Sequence, residues 1–341
     1  MTTPDGPTPA ARARRAPTIY DIAELAGVNP STVSRALSRP GRINPKTAQK
    51  VFDAARELDY VANPAARSLP TGRTGTVALM VADITNPMFF DIVRGAERET
   101  AERGYTLVLA EFRESADTEL HTARRLLASV DGLVLATSRL HPDTIRDLAD
   151  VKPVVVLNRR VDAVPSVVPE IAPAIEEAIG HLAGLDHRHL AYLSGPDRSW
   201  MSRHRWQLIQ EAAARAGVAV TRIPTPAPDR EGGRVVAEAV LTSGVTGVLA
   251  FNDLLAIGIL QAFIESGVAV PEEVSIVGFD DIFGADLTAP PLTTIRVPSD
   301  ESGAAAAREL FTALDGGAYP DRRPLAARFV VRGSTGPAAR P

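Results

Sequence analysis

The sequence predicts an all-α helix-turn-helix head joined to a larger α/β body of two lobes built on parallel sheets. Three observations carry this. Helix start and stop signals crowd into residues 18–62, apolar runs alternate with amphipathic stretches after Gly75, and about 260 residues of that alternation exceed one ordinary sheet. With 341 residues, 45% of them hydrophobic, the chain has enough apolar material for separate cores.

In the head, "TIYDIAELAG" begins with Thr18 and Asp21 at capping-box spacing. Ile19, Ile22, Ala23, Leu25 and Ala26 form an apolar stripe at helical spacing, and Gly27 ends the helix with a tight turn. Asn29 is placed to cap the next helix, Pro30 suits its first position, and Val33 and Leu37 share its inner face. A third helix starts at Asn44 and Pro45 and turns Val51, Ala55 and Leu58 inward. The second helix thereby presents Asn29, Ser31, Thr32, Ser34 and Arg35 to solvent, small hydrogen-bonding groups beside a guanidinium able to grip guanine O6 and N7. That face suits the major groove of DNA.

Charge distribution agrees. The chain has a net charge of −4, but residues 1–75 hold 11 Lys/Arg against 6 Asp/Glu, while the rest holds 26 against 35. A basic head on an acidic body is expected when one end meets a polyanion. The absence of cysteine removes disulfides, thiolate metal sites and cysteine nucleophiles, and suits a reducing compartment. The arginines of residues 1–17, a basic tail, precede no apolar stretch of signal-peptide type, and no membrane-length apolar run follows. A soluble, cytoplasmic, nucleoid-associated protein with no membrane contact is expected.

"NPAARSLPTGRTG" holds a helix start with barely one turn behind it before Pro70 and Gly72. Ordering roughly seven backbone positions costs about 1–2 kcal/mol each, whereas burying one leucine returns about 2 kcal/mol. Such a helix does not persist alone.

The body strands are read in "TVALMVAD", "YTLVLAEF", "GLVLAT", "PVVVLN", "LAYLSG", "GVLAFN" and "SIVGFD". In parallel α/β sheets ligands bind off the carboxyl ends of strands. Polar groups wait there: Asp83, Asn158 and Arg159, Asn252 and Asp253, Asp280 and Asp281, of which Asp253 and Asp281 could equally start the following helices. Asn158, Asn252 and Asp280 offer hydrogen-bond donors and acceptors of the kind that a neutral polyol needs. No phosphate-binding P-loop, dinucleotide fingerprint or nucleophile elbow is present, so an enzyme is not expected. His181, His187 and His189 lack a carboxylate at ligand spacing; no metal or cofactor is expected.

"TIYDIAELAGVNPSTVSRAL", "KVFDAARELDY" and "NPAARSL" resemble the lactose-repressor (LacI/GalR) family of bacterial transcription regulators, and "DITNPMFFDIVRGAE", "FNDLLAIGIL", "SIVGFDD" and "PPLTTIRVP" extend the resemblance from Thr18 to about Pro337. It implies a body of the type I periplasmic-binding-protein architecture, with chain crossings near Val168–Pro173, Thr293–Pro298 and Pro324–Phe329. The expected domains are the head at 18–62, a hinge at 63–75, and a body at 76–335 followed by a tail at 336–341. Lobe 1 takes 76–170 and 296–325; lobe 2 takes 171–295 and 326–335. The resemblance also implies base reading by Asn29, Pro30, Ser31 and Arg35, and phosphate contacts by Tyr20, Thr32, Ser34, Asn44, Thr47 and Asn63. Its hinge helix orders on DNA, with Leu69 as the minor-groove wedge and Arg67 beside it.

Pro70 departs from the family by standing where relatives often carry a basic or small residue; either minor-groove affinity falls or Arg67 and Arg73 substitute. Phe89, Arg203 and Arg205 match effector positions, whereas Leu208, Met201 and Trp200 depart from relatives and point to an effector larger or more apolar than a simple hexose. The implied assembly is a homodimer on palindromic operator DNA, controlled by a small-molecule effector of carbohydrate type. No heptad tail follows "VVRGSTG", so tetramers are not expected.

Overall fold

The computed structural model describes residues 17–38, 42–60, 72–317 and 324–339, and the chain divides into two compact units at Thr74 and Gly75. The first unit holds helices α1 (Ile19–Ala26), α2 (Pro30–Ser38) and α3 (Pro45–Glu57). Asp21 accepts the backbone N–H of Thr18 at 2.6 Å and its hydroxyl at 2.7 Å, which closes the start of α1. Gly27 ends the helix at φ 66°, a left-handed turn that glycine adopts without steric cost. The Asn44 side chain accepts the Lys46 N–H at 2.9 Å, and Pro45 opens α3.

Ile22, Ala23, Val33, Ala36, Val51 and Ala54 form the core of this unit. One inward assignment is corrected. Leu25 is 46% exposed, because it lies about 100° around the helix from the stripe centred on Ile22, Ala23 and Ala26, beyond the reach of so small a core. Ala55 and Leu58 pack half-buried against this core, which Ala54 also joins.

The second unit holds two sheets. The first has the order β2-β1-β3-β4-β5 and is parallel throughout: β1 (Thr76–Val81), β2 (Thr106–Glu111), β3 (Gly132–Ala136), β4 (Val154–Leu157) and β5 (Ser166–Val167). Helices α4 (Met88–Glu102), α5 (Ala116–Leu127) and α6 (Pro142–Val151) connect its strands. The second sheet combines β6 (His189–Ser194), β7 (Ala219–Pro224), β8 (Gly247–Ala250), β9 (Ser275–Asp280), β10 (Thr293–Arg296) and β11 (Arg328–Val330), in the order β11-β10-β9-β8-β6-β7. With it go α7 (Ala172–Gly184), α8 (Trp200–Ala216), α9 (Arg230–Val235), α10 (Ala237–Thr242) and α11 (Asp253–Glu265). The two-lobed parallel α/β reading holds, with one correction: β11 runs antiparallel to β10, pairing Thr294 with Val330.

The chain crosses from the first lobe to the second after β5 and returns after β10 to build α12 (Ser299–Leu314), which packs on α4. It crosses again ahead of β11, where Ala326 bridges Glu170. Gly95 and Gly303 let α4 and α12 touch: a Cβ on Gly95 would lie 1.9 Å from the Asp300 carbonyl oxygen, and one on Gly303 2.0 Å from that of Ile92. Arg296 lies in the second sheet, which places the return crossing after it. The segment read as a tail is held at its start: the Ala338 N–H donates to the Leu185 carbonyl at 2.8 Å, and His187 Nε2 lies 3.0 Å from the Gly336 carbonyl.

Candidate functional site

The head offers one polar face. Fully buried Val33 and nearly buried Ala36 pin the inner side of α2, which turns Ser31, Ser34 and Arg35 outward and leaves Thr32 and Pro30 half-buried. The Asn29 carbonyl accepts the N–H groups of Thr32 at 2.8 Å and Val33 at 3.2 Å, fixing the start of the helix beside that face. Asn29 and Asn44 are exposed, Thr47 is half-buried, and Tyr20 exposes 68% of its surface. Small donors and one guanidinium at a helix start are groups that read base edges. Asn63, Arg67 and Leu69 lie outside the described residues, as does Pro70.

In the second unit the carboxyl ends of both sheets face a cleft of about 490 Å³, its opening included. Phe89 and Asn158 enter it from the first lobe, and Arg205, Asn252 and Asp280 from the second. Arg203 does not; it is exposed and donates to the Asp197 carbonyl at 2.8 Å. Arg159 also stays behind the wall, donating to the carbonyls of Ser138 and Leu140 at 3.0 and 2.7 Å.

The Ser199 hydroxyl caps α8 by accepting the Ser202 N–H at 3.2 Å, and the second turn of that helix carries Arg205. Arg205 donates to Asp280 at 3.0 Å and to the Phe251 carbonyl. Its guanidinium carbon sits 3.5 Å from the centre of the Phe279 ring and 4.8 Å from that of Phe251. Burial pushes the Asp280 acid up to about 6, against the pull of Arg205. Asp280 stands at φ 107° and Asn158 at φ 59°, so both strand ends turn through left-handed backbone to aim polar side chains into the cleft.

Asn252 does structural work there. Its amide oxygen caps α11 on the Leu255 N–H at 2.9 Å, and its amide nitrogen donates to the Pro228 carbonyl at 2.7 Å. Asp253 opens α11 and, fully buried, accepts the Ile282 N–H at 2.8 Å and the Thr294 hydroxyl at 2.6 Å. Asp281 starts no helix; it holds Arg296, the last residue of β10, at 2.5 Å and Arg332, beyond β11, at 2.7 Å.

Sequence reading missed part of the wall. Arg139, behind the carboxyl end of β3, donates to Glu114 at 2.6 Å and to the Thr137 carbonyl; all three residues line the cleft. The strand-end rule that selected Asp83 and Asn158 applies equally to "GLVLATSR" and would have found Thr137 and Arg139. The buried hydroxyl of Thr137 and Nε of Arg205 have no hydrogen-bond partner. Among the described residues no cluster of His and carboxylates could hold a metal. His187 instead sits between the Thr246 hydroxyl at 2.8 Å and the Gly336 carbonyl. Among them, too, no helix is long and apolar enough to cross a membrane.

Residues 18–63 match the family described as bacterial regulatory proteins, lacI family, and residues 179–335 match a periplasmic binding protein-like domain. The transcriptional regulator AscG of Escherichia coli is 32% identical over 332 residues, 93% of this chain and 98% of AscG. The solved structure of the lac repressor dimer bound to operator and the anti-inducer ONPF superposes with a TM-score of 0.85 at 25% identity, covering 94% of this chain and 100% of that one. The complex of the transcriptional regulator CelR with cellobiose superposes with a TM-score of 0.68 at 30% identity, covering 93% and 99%. The lacI-family match at residues 18–63 and 32% identity to AscG over 93% of this chain make it a member of the lacI family of bacterial transcriptional regulators.

Proposed function

We propose that the protein represses transcription as a homodimer on a palindromic operator in the cytoplasm, on nucleoid DNA, and that a small carbohydrate in the cleft controls its grip. The convergence of Phe89 and Asn158 from one lobe with Arg205, Asn252 and Asp280 from the other carries this reading, because a ligand touching both sets changes their spacing. On α2, Ser31 and Arg35 read bases, while Asn29 and Pro30 flank them; Tyr20, Thr32, Ser34, Asn44 and Thr47 hold phosphates. Asn63, Arg67 and Leu69 supply the hinge that orders on the duplex. Phe283 and Leu287, 82% and 71% exposed, support an interface between copies in the body.

Selection of bound DNA from a random pool by the full chain, repeated with candidate sugars, tests the reading. A palindrome whose recovery responds to one sugar supports it; recovery without sequence preference overturns it. Arg35→Ala should cost about 1–3 kcal/mol and relax one operator position. An equal loss on every sequence excludes base reading by Arg35.

A further inference from the structure

We infer that the effector is an uncharged carbohydrate and that its phosphate ester or uronic acid is rejected. The inference rests on the reading of the cleft as the effector site and adds the ligand's charge. The wall contains Asp83, Glu114 and Asp280 against Arg139 and Arg205. Both cations are already matched, Arg139 to Glu114 at 2.6 Å and Arg205 to Asp280 at 3.0 Å. Each also donates to a backbone carbonyl, that of Thr137 and of Phe251 respectively, and the Arg205 guanidinium lies against two phenyl rings. Asp83 brings a third carboxylate, which accepts the Thr85 N–H and hydroxyl at 2.8 and 2.7 Å.

Helix starts are the other place where a phosphate binds. Three helix starts at this cleft already have a neutral side-chain acceptor on a first-turn N–H: Asn86 on Met88 at 3.1 Å, Ser199 on Ser202 and Asn252 on Leu255. An anion would therefore meet three carboxylates and two guanidinium groups that are each already paired with one of them. A hydroxyl group both donates and accepts, so it can donate to Asp83, whereas a phosphate dianion only accepts. Phe89, Met88, Met201 and Phe251 supply apolar contact for the C–H face of a sugar ring.

The test is calorimetric titration of the full chain with a library of neutral mono- and disaccharides, each paired with its phosphate ester or uronic acid, such as glucose with glucose 6-phosphate and galactose with galacturonate. The neutral member should bind at least about tenfold more tightly, as expected when like charges are brought together. In Glu114→Gln, Arg139 loses its carboxylate, and the neutral-to-phosphate affinity ratio should fall at least about tenfold. Operator binding by the variant checks that it is folded; if it is not, Asp83→Asn takes its place, with the ratio falling in the same direction. A phosphate ester or uronic acid binding as well as its neutral parent overturns the inference and leaves the carbohydrate reading standing. An unchanged ratio in the variants also overturns it. A library in which no pair binds overturns both.

Discussion

Asp253, Asp280 and Asp281 have the same side chain and three different duties. Asp280 balances Arg205 at the cleft, Asp281 gathers Arg296 from the end of β10 and Arg332 from beyond β11, and Asp253 ties the start of α11 to Ile282 and Thr294. Burial, then the nearby charge of Asp280, pushes the Asp253 acid up to about 8. The folded protein therefore holds its proton more tightly than the unfolded chain does. Stability from this group is full below the ordinary carboxylate range and is lost as pH rises from about 4 to about 8. Asp253→Asn keeps one acceptor and can donate to the Thr294 hydroxyl. Thermal melts of both proteins across that window should show wild type losing stability relative to the variant as pH rises; a difference that does not vary with pH would show that Asp253 titrates normally. None of the three roles is legible in "FND" or "GFDD", because each depends on what lies across the sheet. The hydrogen-bonding duty of Asn252 is different: a polar residue ahead of an apolar helical run is a cap signal, and it caps α11 while lining the cleft.

Among elements, α4 links stability to ligand binding. Its backbone lies against α12 through Gly95 and Gly303, and its first turn carries Phe89 into the cleft. Gly95→Ala would set a Cβ against the backbone carbonyl of Asp300, which cannot rotate away as a side chain could. The helices must separate, at a cost of about 1–3 kcal/mol, and the Phe89 ring moves with them. A lowered melting temperature together with weaker effector binding is expected; a melting temperature equal to wild type would mean that the contact is not formed. The inner strands were legible as unbroken apolar runs, since both faces of β1, β3, β4, β8 and β9 are covered. Edge strand β7 (AVTRIP), with its mixed exposure, and short β5 and β11 lack that signal. The β10 stretch reads in the sequence only as a crossing, although its first three residues are buried.

For the whole molecule, the division between a small basic unit and a large acidic one follows from charge and apolar spacing along the chain. A dimer gains affinity because the second head binds at high local concentration. Titration of operator DNA carrying one half-site should therefore give binding weaker by roughly 10²–10⁴-fold than the full palindrome, and equal affinity would exclude a two-headed grip. Light scattering of the free protein should give two chains.

By itself the sequence determined the head helices, most inner strands of the body, the turn residues and the polar groups at strand ends, because each depends on neighbours a few residues away. The tertiary structure decided which of those groups meet. Arg205 is 75 residues from Asp280, and Arg139 is 25 from Glu114. Whether a guanidinium is available to a ligand or already neutralised depends on packing across the cleft, where removal from water makes the choice of partner energetically decisive.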